Sequence, residues 1–152
     1  MRLVFMGAHE FCIPVVKHLL EAGNQVVGVY TQPDSPVGRG LRYDISPVKM
    51  FAKERGLAVF QPTSLRDHST QEELANLQPE VIVVAAYGKL LPSTILSLPS
   101  CGCLNIHPSL LPRHRGPSPV VASILEGDTS TGVTVMLLDD GMDTGPVVAQ
   151  RP

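Results

Sequence analysis

Val81-Ile82-Val83-Val84-Ala85 is the most apolar run in this sequence of 152 residues, and it decides the fold. A short run without alternating polar residues is typical of a strand that is buried on both faces. Strands of that kind lie in parallel sheets, whose crossover connections are usually helices. The run therefore predicts an α/β fold with helices on both faces of the sheet.

The segments around this run alternate between strand and helix patterns. The other predicted strands are 3–6, 26–30, 58–60, 101–106, 132–138 and a last one that opens within 146–152. The predicted helices are 11–22, 47–55, 70–77 and 120–125, with a helical turn at 91–98. This alternation predicts a Rossmann-like, mostly parallel sheet. The polar stretch from Thr31 to Ser46 is interpreted as one long loop, and loops of that length are usually functional.

Size, charge and cysteine usage narrow the class of protein. A length of 152 residues suits one domain with a real core. The net charge of −2 gives no overall signal for nucleic-acid binding, and the apolar runs are too short for a membrane span. Three cysteines without a secretory leader favour a reducing compartment, so we expect a cytoplasmic protein.

Asn105 and His107 form the first candidate site. They lie two residues apart at the end of a predicted strand, so their side chains share a face. Open α/β sheets bind ligands at the carboxyl ends of their strands. Either residue alone is more often structural, but an amide donor beside an imidazole suits a tetrahedral intermediate at a carbonyl carbon. The pair predicts acyl or one-carbon transfer.

A carboxylate that orients the imidazole is expected in the turn after the strand at 132–138. The candidates are Asp139, Asp140 and Asp143. Gly141 and Gly145 flank the third of them and permit tight backbone geometry. Each of the three acids has an alternative role as a local cap of the turn. The spacing gives no distance, so the choice stays open.

Other catalytic chemistries lack the residues that they need. The turn 7–12 has one glycine where a dinucleotide fingerprint needs three. Cys101-Gly102-Cys103 has no second Cys/His pair at ligand spacing, so we expect no metal and interpret the cysteines as buried free thiols. No thiol or serine has a base that the sequence identifies. Direct transfer between two bound substrates is therefore preferred over a covalent intermediate.

The segment Asn105-Ile106-His107-Pro108-Ser109-Leu110-Leu111-Pro112-Arg113-His114-Arg115-Gly116, followed by Asp143-Thr144-Gly145, resembles the signature of the folate-dependent formyltransferases. The segments 31–34, 38–40, 46–49, 60–62 and 86–92 are most similar to the members of this family that act on methionyl-tRNA. The similarity covers essentially the whole chain. One departure is the turn 7–11, which reads Gly-Ala-His-Glu-Phe where the family usually has Gly-Thr-Pro-Asp/Glu-Phe.

The resemblance implies roles for particular residues. It implies transfer of formyl from 10-formyltetrahydrofolate to the amino group of initiator methionyl-tRNA, without a metal. The catalytic residues that it implies are Asn105, His107 and Asp143. The folate-binding residues that it implies are Ser109, Leu110, Leu111, Pro112, Tyr87, Gly88, Leu90, Asp139, Asp140 and Gly141. It also implies that Arg39, in the long loop, contacts the acceptor arm of the tRNA.

The resemblance also carries an expectation about domains. We expect residues 1–152 to be the catalytic domain, truncated at its C-terminal end and without the C-terminal barrel of the family, and to act as a monomer. Rival acceptors are the amine of a sugar nucleotide and water, the second of which makes a formyltetrahydrofolate hydrolase. A rival from another class is a relic domain that binds folate without turnover. The long basic stretch at 31–49 favours tRNA, since a small acceptor does not need it.

Overall fold

The computed structural model of the protein describes residues 1–37 and 42–152. The strands of its main sheet are β1 (Arg2–Gly7), β2 (Gln25–Tyr30), β5 (Val59–Phe60), β6 (Val81–Ala85), β7 (Cys103–His107), β8 (Val133–Leu137) and β9 (Val147–Arg151). A separate pair consists of β3 (Ser35–Val37) and β4 (Arg42–Asp44). The main sheet has seven strands in the order β5-β2-β1-β6-β7-β8-β9.

Short helices connect these strands. They are α1 (Ile13–Glu21), which follows a 3-10 turn at Glu10–Cys12, α2 (Pro47–Glu54), α3 (His68–Asn76), α4 (Ser93–Leu96) and α5 (Pro119–Leu125). Proline opens α2 and α5, where its missing N–H has no cost. Across residues 1–37 and 42–152, none of the helices has both the length and the apolar content that crossing a membrane requires.

The sheet is parallel from β5 to β7 and antiparallel at its other edge. β1 pairs in parallel with β2 and β6, β2 with β5, and β6 with β7. β8 runs antiparallel to β7, and β9 runs antiparallel to β8. The connection that contains α5 leaves and rejoins the sheet at the same end, because His107 lies opposite Thr134 near the start of β8. The prediction of a mostly parallel sheet is confirmed.

Apolar side chains form a core on each face of the sheet. Leu3 and Phe5 of β1 join the cluster that α1 and α2 cover, whereas Val4 and Met6 join the cluster that α3 and α4 cover. Every residue of β6 is buried. Full burial of such a side chain stabilises a fold by about 1.5–3 kcal/mol. The prediction that helices cover both faces is therefore confirmed.

The stretch from Thr31 to Ser46 is not one continuous loop, so that interpretation is wrong in part. It contains β3 and β4, which pair antiparallel. Thr31 Oγ1 donates to Ser46 Oγ at 2.7 Å and closes the base of the stretch. Strands of three residues are too short to show an alternating pattern, so periodicity does not reveal them. Arg39, which the family resemblance assigns to tRNA, lies outside the described residues.

Asp34, directly before β3, ties this stretch to the main domain. Lys49 of α2 donates to the Asp34 carboxylate, and Gln61 Nε2 donates to Asp34 Oδ1 at 2.9 Å. Gln61 Nε2 also donates to the backbone oxygen of Gln32 at 2.7 Å. Hydrogen bonds from Lys49 first, and from Gln61 second, hold the pKa of Asp34 below its usual range.

We expect Asp34→Asn to lower the free energy of unfolding near neutral pH and to remove part of its acid dependence. A carboxyl whose folded pKa lies below its unfolded value, about 3.9, contributes stability above that unfolded value. The contribution is lost as the pH falls through the folded pKa, so the deficit of the variant should shrink below about pH 4. Urea midpoints of both proteins between about pH 3 and pH 7 measure it.

Glu21→Gln is the matched control for Asp34→Asn. The Glu21 side chain is 56% exposed, and its carboxylate lies 3.8 Å from Lys17 Nζ. Exposed pairs of this kind contribute little, so the control should differ little from the parent protein at every pH. A deficit of Asp34→Asn that stayed the same throughout the acid range would contradict the assignment.

Candidate active site

β7 positions Asn105 and His107 at the carboxyl end of the parallel part of the sheet. Asn105 lies opposite Val84 of β6 and Met136 of β8. His107 is the last residue of β7 and is 5% exposed, whereas Asn105 is half-buried. Both side chains therefore lie at the end of the strands where α/β sheets bind ligands.

Asp143 is the acid that reaches these two residues. Its Oδ1 accepts from Asn105 Nδ2 at 3.4 Å, and its Oδ2 lies 3.6 Å from His107 Nδ1. The backbone N–H of Gly116 donates to Asp143 Oδ2 at 2.8 Å. Of the three acids between which the spacing left the choice open, Asp143 is therefore the one that lies against both residues. A carboxylate in this place can hold a positive imidazole and accept a proton.

The other two acids of the turn have different surroundings. Asp139 Oδ1 accepts from the backbone N–H of Gly141 at 3.0 Å and from Thr144 Oγ1 at 2.7 Å. It therefore caps its own turn, which is the alternative role that the sequence allowed for each of the three acids. Asp140 is exposed.

The turn between β8 and β9 is tight enough to require its glycines. A Cβ on Gly145 would lie 1.9 Å from the backbone oxygen of Leu137, and one on Gly141 would lie 2.0 Å from Thr144 Oγ1. Asp143 itself has a φ of 52°, a left-handed conformation that is strained for a residue with a side chain. Strain of this kind persists only where neighbours fix it, and here the two hydrogen-bond donors to the carboxylate, Asn105 Nδ2 and Gly116 N, do so.

His107 has a second partner that sequence patterns did not reveal. Its Nε2 lies 3.0 Å from the backbone oxygen of His114. A carbonyl only accepts, so Nε2 carries a proton and Nδ1, facing Asp143, is the nitrogen that can exchange one. Backbone partners are invisible in a sequence, because they depend on conformation and not on residue type.

Arg113, His114, Glu126 and Asp128 form a charged cluster beside this contact. Among the described residues, donor atoms of the last three lie within 4.8 Å of one another, close enough to hold a metal ion. The Arg113 guanidinium lies 2.6 Å from Asp128 Oδ1 and 3.4 Å from Glu126 Oε2. This permanent positive charge compensates the carboxylates and opposes a cation. We therefore interpret the cluster as an ion-pair network.

The cysteines stand apart from the site. Cys12 and Cys103 are buried, as expected, but Cys101 is exposed, so the expectation of buried thiols is wrong for that residue. Burial raises the pKa of Cys12, and it raises the pKa of Cys103 to about 12. Since the thiolate is the nucleophilic form, burial makes both thiols poor nucleophiles.

The segment 109–112 forms a supported loop after β7. Ser109 is fully buried, and its Oγ donates to the backbone oxygen of Arg113 at 2.7 Å. Thr134 Oγ1 donates to Ser109 O at 2.7 Å and accepts from Leu111 N at 3.1 Å. Leu110 is half-buried and Pro112 is exposed. Thr134 is therefore a residue of the site that the sequence motifs missed, and its place opposite His107 is visible only in the strand register.

The loop after β6 presents mainly backbone. The Tyr87 side chain is 1% exposed and packs in the core, and this burial raises its pKa to about 12. The backbone oxygen of Tyr87 accepts from Gln32 Nε2 at 2.5 Å. Gly88 has a φ of 78°, which favours glycine, and Leu90 is 75% exposed. Any ligand at this loop would meet Leu90 and main-chain atoms and not the phenol ring.

Comparisons with known proteins agree over the full length of the chain. The family described as "Formyl transferase" matches residues 1–152. Methionyl-tRNA formyltransferase from Marinobacter nauticus is 52% identical over 148 residues, and that from Dehalococcoides mccartyi (strain 195) is 54% identical over 150. These matches cover 97% and 99% of this chain. The chain spans about half the length of these curated relatives, 48% of each.

Solved structures with the same fold are also formyltransferases. Phosphoribosylglycinamide formyltransferase from Bacillus halodurans aligns with a TM-score of 0.81 at 25% identity, over 99% of this chain and 78% of that one. A sugar N-formyltransferase from a Shewanella species aligns with a TM-score of 0.68 at 18% identity, over 99% of this chain and 56% of that one, and so shares the fold. With the family match over every residue, these likenesses lead to one conclusion: the chain belongs to the formyl transferase family.

Proposed function

We propose that the protein transfers a formyl group from 10-formyltetrahydrofolate to the α-amine of initiator methionyl-tRNA. Membership of the formyl transferase family supports the class of reaction. The acceptor is inferred from relatives 52% and 54% identical that are named methionyl-tRNA formyltransferase. The observation that carries the proposal is the contact of Asp143 with both Asn105 and His107 at the carboxyl end of β7.

In the first step the neutral amine nitrogen attacks the formyl carbon, and an electron pair moves onto the formyl oxygen. One N–H of Asn105 Nδ2 faces Asp143, which leaves the second for this oxyanion. His107 Nε2 is engaged by His114 O, so Nδ1–H of a protonated His107 is the second donor that we assign to the oxyanion. Donors fixed in advance in this way need no reorganisation when the charge develops.

In the second step a proton leaves the amine and another reaches N10 of the folate. Asp143 Oδ2 and His107 Nδ1 are 3.6 Å apart, so a proton can move between them directly or through a bridging water. We assign Asp143 as the acceptor of the amine proton and His107 as the donor to N10. The bond from the formyl carbon to N10 then breaks as the oxyanion electron pair returns. The products are the formylated amine and tetrahydrofolate, and no further reactant is needed.

We propose a place for each of the two substrates from the exposed groups around Asn105, His107 and Asp143. We propose that folate lies between the segment 109–112, the loop 87–90 and the turn 139–141. Leu90 offers exposed apolar surface there, and the backbone of the loops offers donors and acceptors. We propose that tRNA contacts the stretch 31–46, which Asp34 anchors to α2, and that a monomer carries out the reaction in the cytoplasm.

Acceptor specificity tests this function. The full-length protein is given 10-formyltetrahydrofolate with charged initiator methionyl-tRNA, with an amino sugar nucleotide, or with no acceptor. Tetrahydrofolate is followed by absorbance, and formylmethionine is recovered from the tRNA. We expect tetrahydrofolate and formylmethionine in equal amounts in the tRNA reaction alone. Uncharged initiator tRNA is the matched control, because it offers the same phosphates without the reactive amine.

Each other outcome contradicts the proposal in a different way. Tetrahydrofolate without any acceptor would indicate a hydrolase. Turnover with the sugar nucleotide alone would move the acceptor to that class. Folate binding without turnover under any condition would indicate a binding domain and would remove the catalytic roles.

A further inference from the structure

The backbone of residues 113–116 supplies partners to both members of the His107–Asp143 pair. The oxygen of His114 accepts from His107 Nε2 at 3.0 Å, and the N–H of Gly116 donates to Asp143 Oδ2 at 2.8 Å. A shift of this segment would therefore change the orientation of the imidazole and of the carboxylate together. The contacts that hold this segment in place therefore bear on catalysis.

His114 has an unfavourable backbone conformation. Its φ is 54°, in the left-handed region, which is unfavourable for a residue with a Cβ. Such a conformation persists only where the surroundings fix it. Asn, Asp and His occur in this region more often than other residues with side chains, but the conformation is still uncommon, so a contact that fixes the His114 side chain helps to hold it.

The side chain of Asp128 binds the side chain of His114, and we call this contact the clamp. Asp128 Oδ2 lies 2.6 Å from His114 Nε2, and the two side chains are 10% and 5% exposed. The hydrogen bond from His114 lowers the pKa of Asp128, with further contributions from Arg113. The bond is therefore short, charge-assisted and shielded from water, unlike a surface ion pair.

We infer that His114 and Asp128 are positioning residues, which fix the backbone oxygen that sets the proton-bearing nitrogen of His107. This inference rests on the proposed function for its kinetic consequence. The pair acts through His107 and touches no substrate. With the clamp in place, Nε2 of His107 carries its proton toward His114 O, and Nδ1 stays directed at Asp143.

Glu126 provides a matched comparison within the same cluster. Its Oε1 lies 3.8 Å from His114 Nδ1, and its side chain is 60% exposed. It carries the same charge as Asp128 and shares the contact with Arg113. If the net charge of the cluster were what mattered, loss of either acid would have the same effect.

The kinetic test compares Asp128→Ala with Glu126→Ala in the full-length protein. Small displacements of catalytic groups can cost up to about 10²-fold in rate, and we expect Asp128→Ala to lower kcat about tenfold. KM for both substrates should change less than about twofold, since the pair touches neither of them. Glu126→Ala should retain kcat within about twofold. Asp128→Asn keeps an oxygen that accepts from His114 and should recover most of the loss.

His114→Asn separates the clamp from the backbone strain. Asn tolerates the left-handed region but is too short to reproduce the contact with Asp128. It should lower kcat about as much as Asp128→Ala, and the double variant should be no slower than either single one, because both remove the same interaction. Circular dichroism and urea midpoints identify any variant that fails to fold. If Asp128→Ala fails to fold, His114→Asn decides the outcome.

A spectroscopic readout is independent of turnover. The ¹⁵N shifts of the His107 ring report which nitrogen carries the proton. For the neutral ring we expect the Nε2-protonated tautomer in the parent protein and in Glu126→Ala, and a mixture of the two tautomers in Asp128→Ala and His114→Asn. An unchanged ring in those two variants, or an equal loss of kcat in Glu126→Ala, overturns the inference. Altered ring shifts in a protein without any formyl transfer would instead sustain the inference and remove the proposed function.

Discussion

Replacement of His107 by alanine is expected to lower kcat for formyl transfer by about 10³-fold and to leave KM for both substrates nearly unchanged. The change removes one donor to the developing oxyanion and the group that we assign to protonate N10. Both interactions strengthen only as the reaction proceeds, so their loss affects kcat and not ground-state binding. Single-turnover rates with saturating folate and methionyl-tRNA measure the chemical step directly.

His68→Ala is the matched control for His107→Ala. His68 lies on α3, its side chain is 86% exposed, and its ion-pair partner within residues 1–37 and 42–152 is Glu72 at 3.2 Å. Its removal should leave kcat unchanged. Since His107 is buried, His107→Gln is measured as well, because it keeps more of the side-chain volume and guards against a loss of folding. A folded His107→Gln or His107→Ala protein with the turnover of the parent would remove His107 from the mechanism.

The strands of the core could be predicted because their amino-acid composition reflects their burial. β6 coincides with the run 81–85, and no end of β1 or β2 differs from its predicted position by more than one residue. Strands buried on both faces need apolar side chains at every position, so the pattern survives without structural knowledge. The direction of β8 could not be predicted, because it depends on which end of the sheet the chain rejoins after α5.

The pair β3 and β4 shows the opposite case. Both strands are three residues long and lie in a stretch rich in glycine and proline. Their pairing is local and separate from the main sheet, so no apolar face marks them. Composition that indicated an irregular segment therefore concealed a short antiparallel pair of strands.

The site divides in the same way between side chains and backbone. Asn105 and His107 could be predicted because two residues on one strand share a face. Their acid could not be chosen from spacing alone, since Asp139, Asp140 and Asp143 lie within one turn. The His114 oxygen and the Gly116 N–H could not be predicted either, because any residue offers such groups. Only the fold brings Asp128 onto His114, which is fourteen positions earlier in the sequence.

Asp143→Asn is expected to lower kcat by about 10²–10³-fold with little change in overall fold. Asparagine keeps an oxygen for the Gly116 N–H and tolerates the left-handed conformation, whose φ is 52°. It removes the negative charge beside His107 Nδ1 and the basic oxygen that we assign to the amine proton. Transfer rates at several pH values measure the effect, and the urea midpoint should stay close to that of the parent protein.

Asp67→Asn is the control for the loss of one aspartate charge. Asp67 is exposed at the start of α3 and makes no side-chain cap there, so its variant should transfer formyl at the parental rate. Asp143→Glu gives a further distinction, because it keeps the charge but moves it by about one methylene. The turn that contains Gly141 and Gly145 has little room to absorb that displacement. If Asp143 served only to brace the turn, asparagine would suffice. Parental turnover in Asp143→Asn would therefore reduce this carboxylate to a structural role and leave proton transfer to His107 and water.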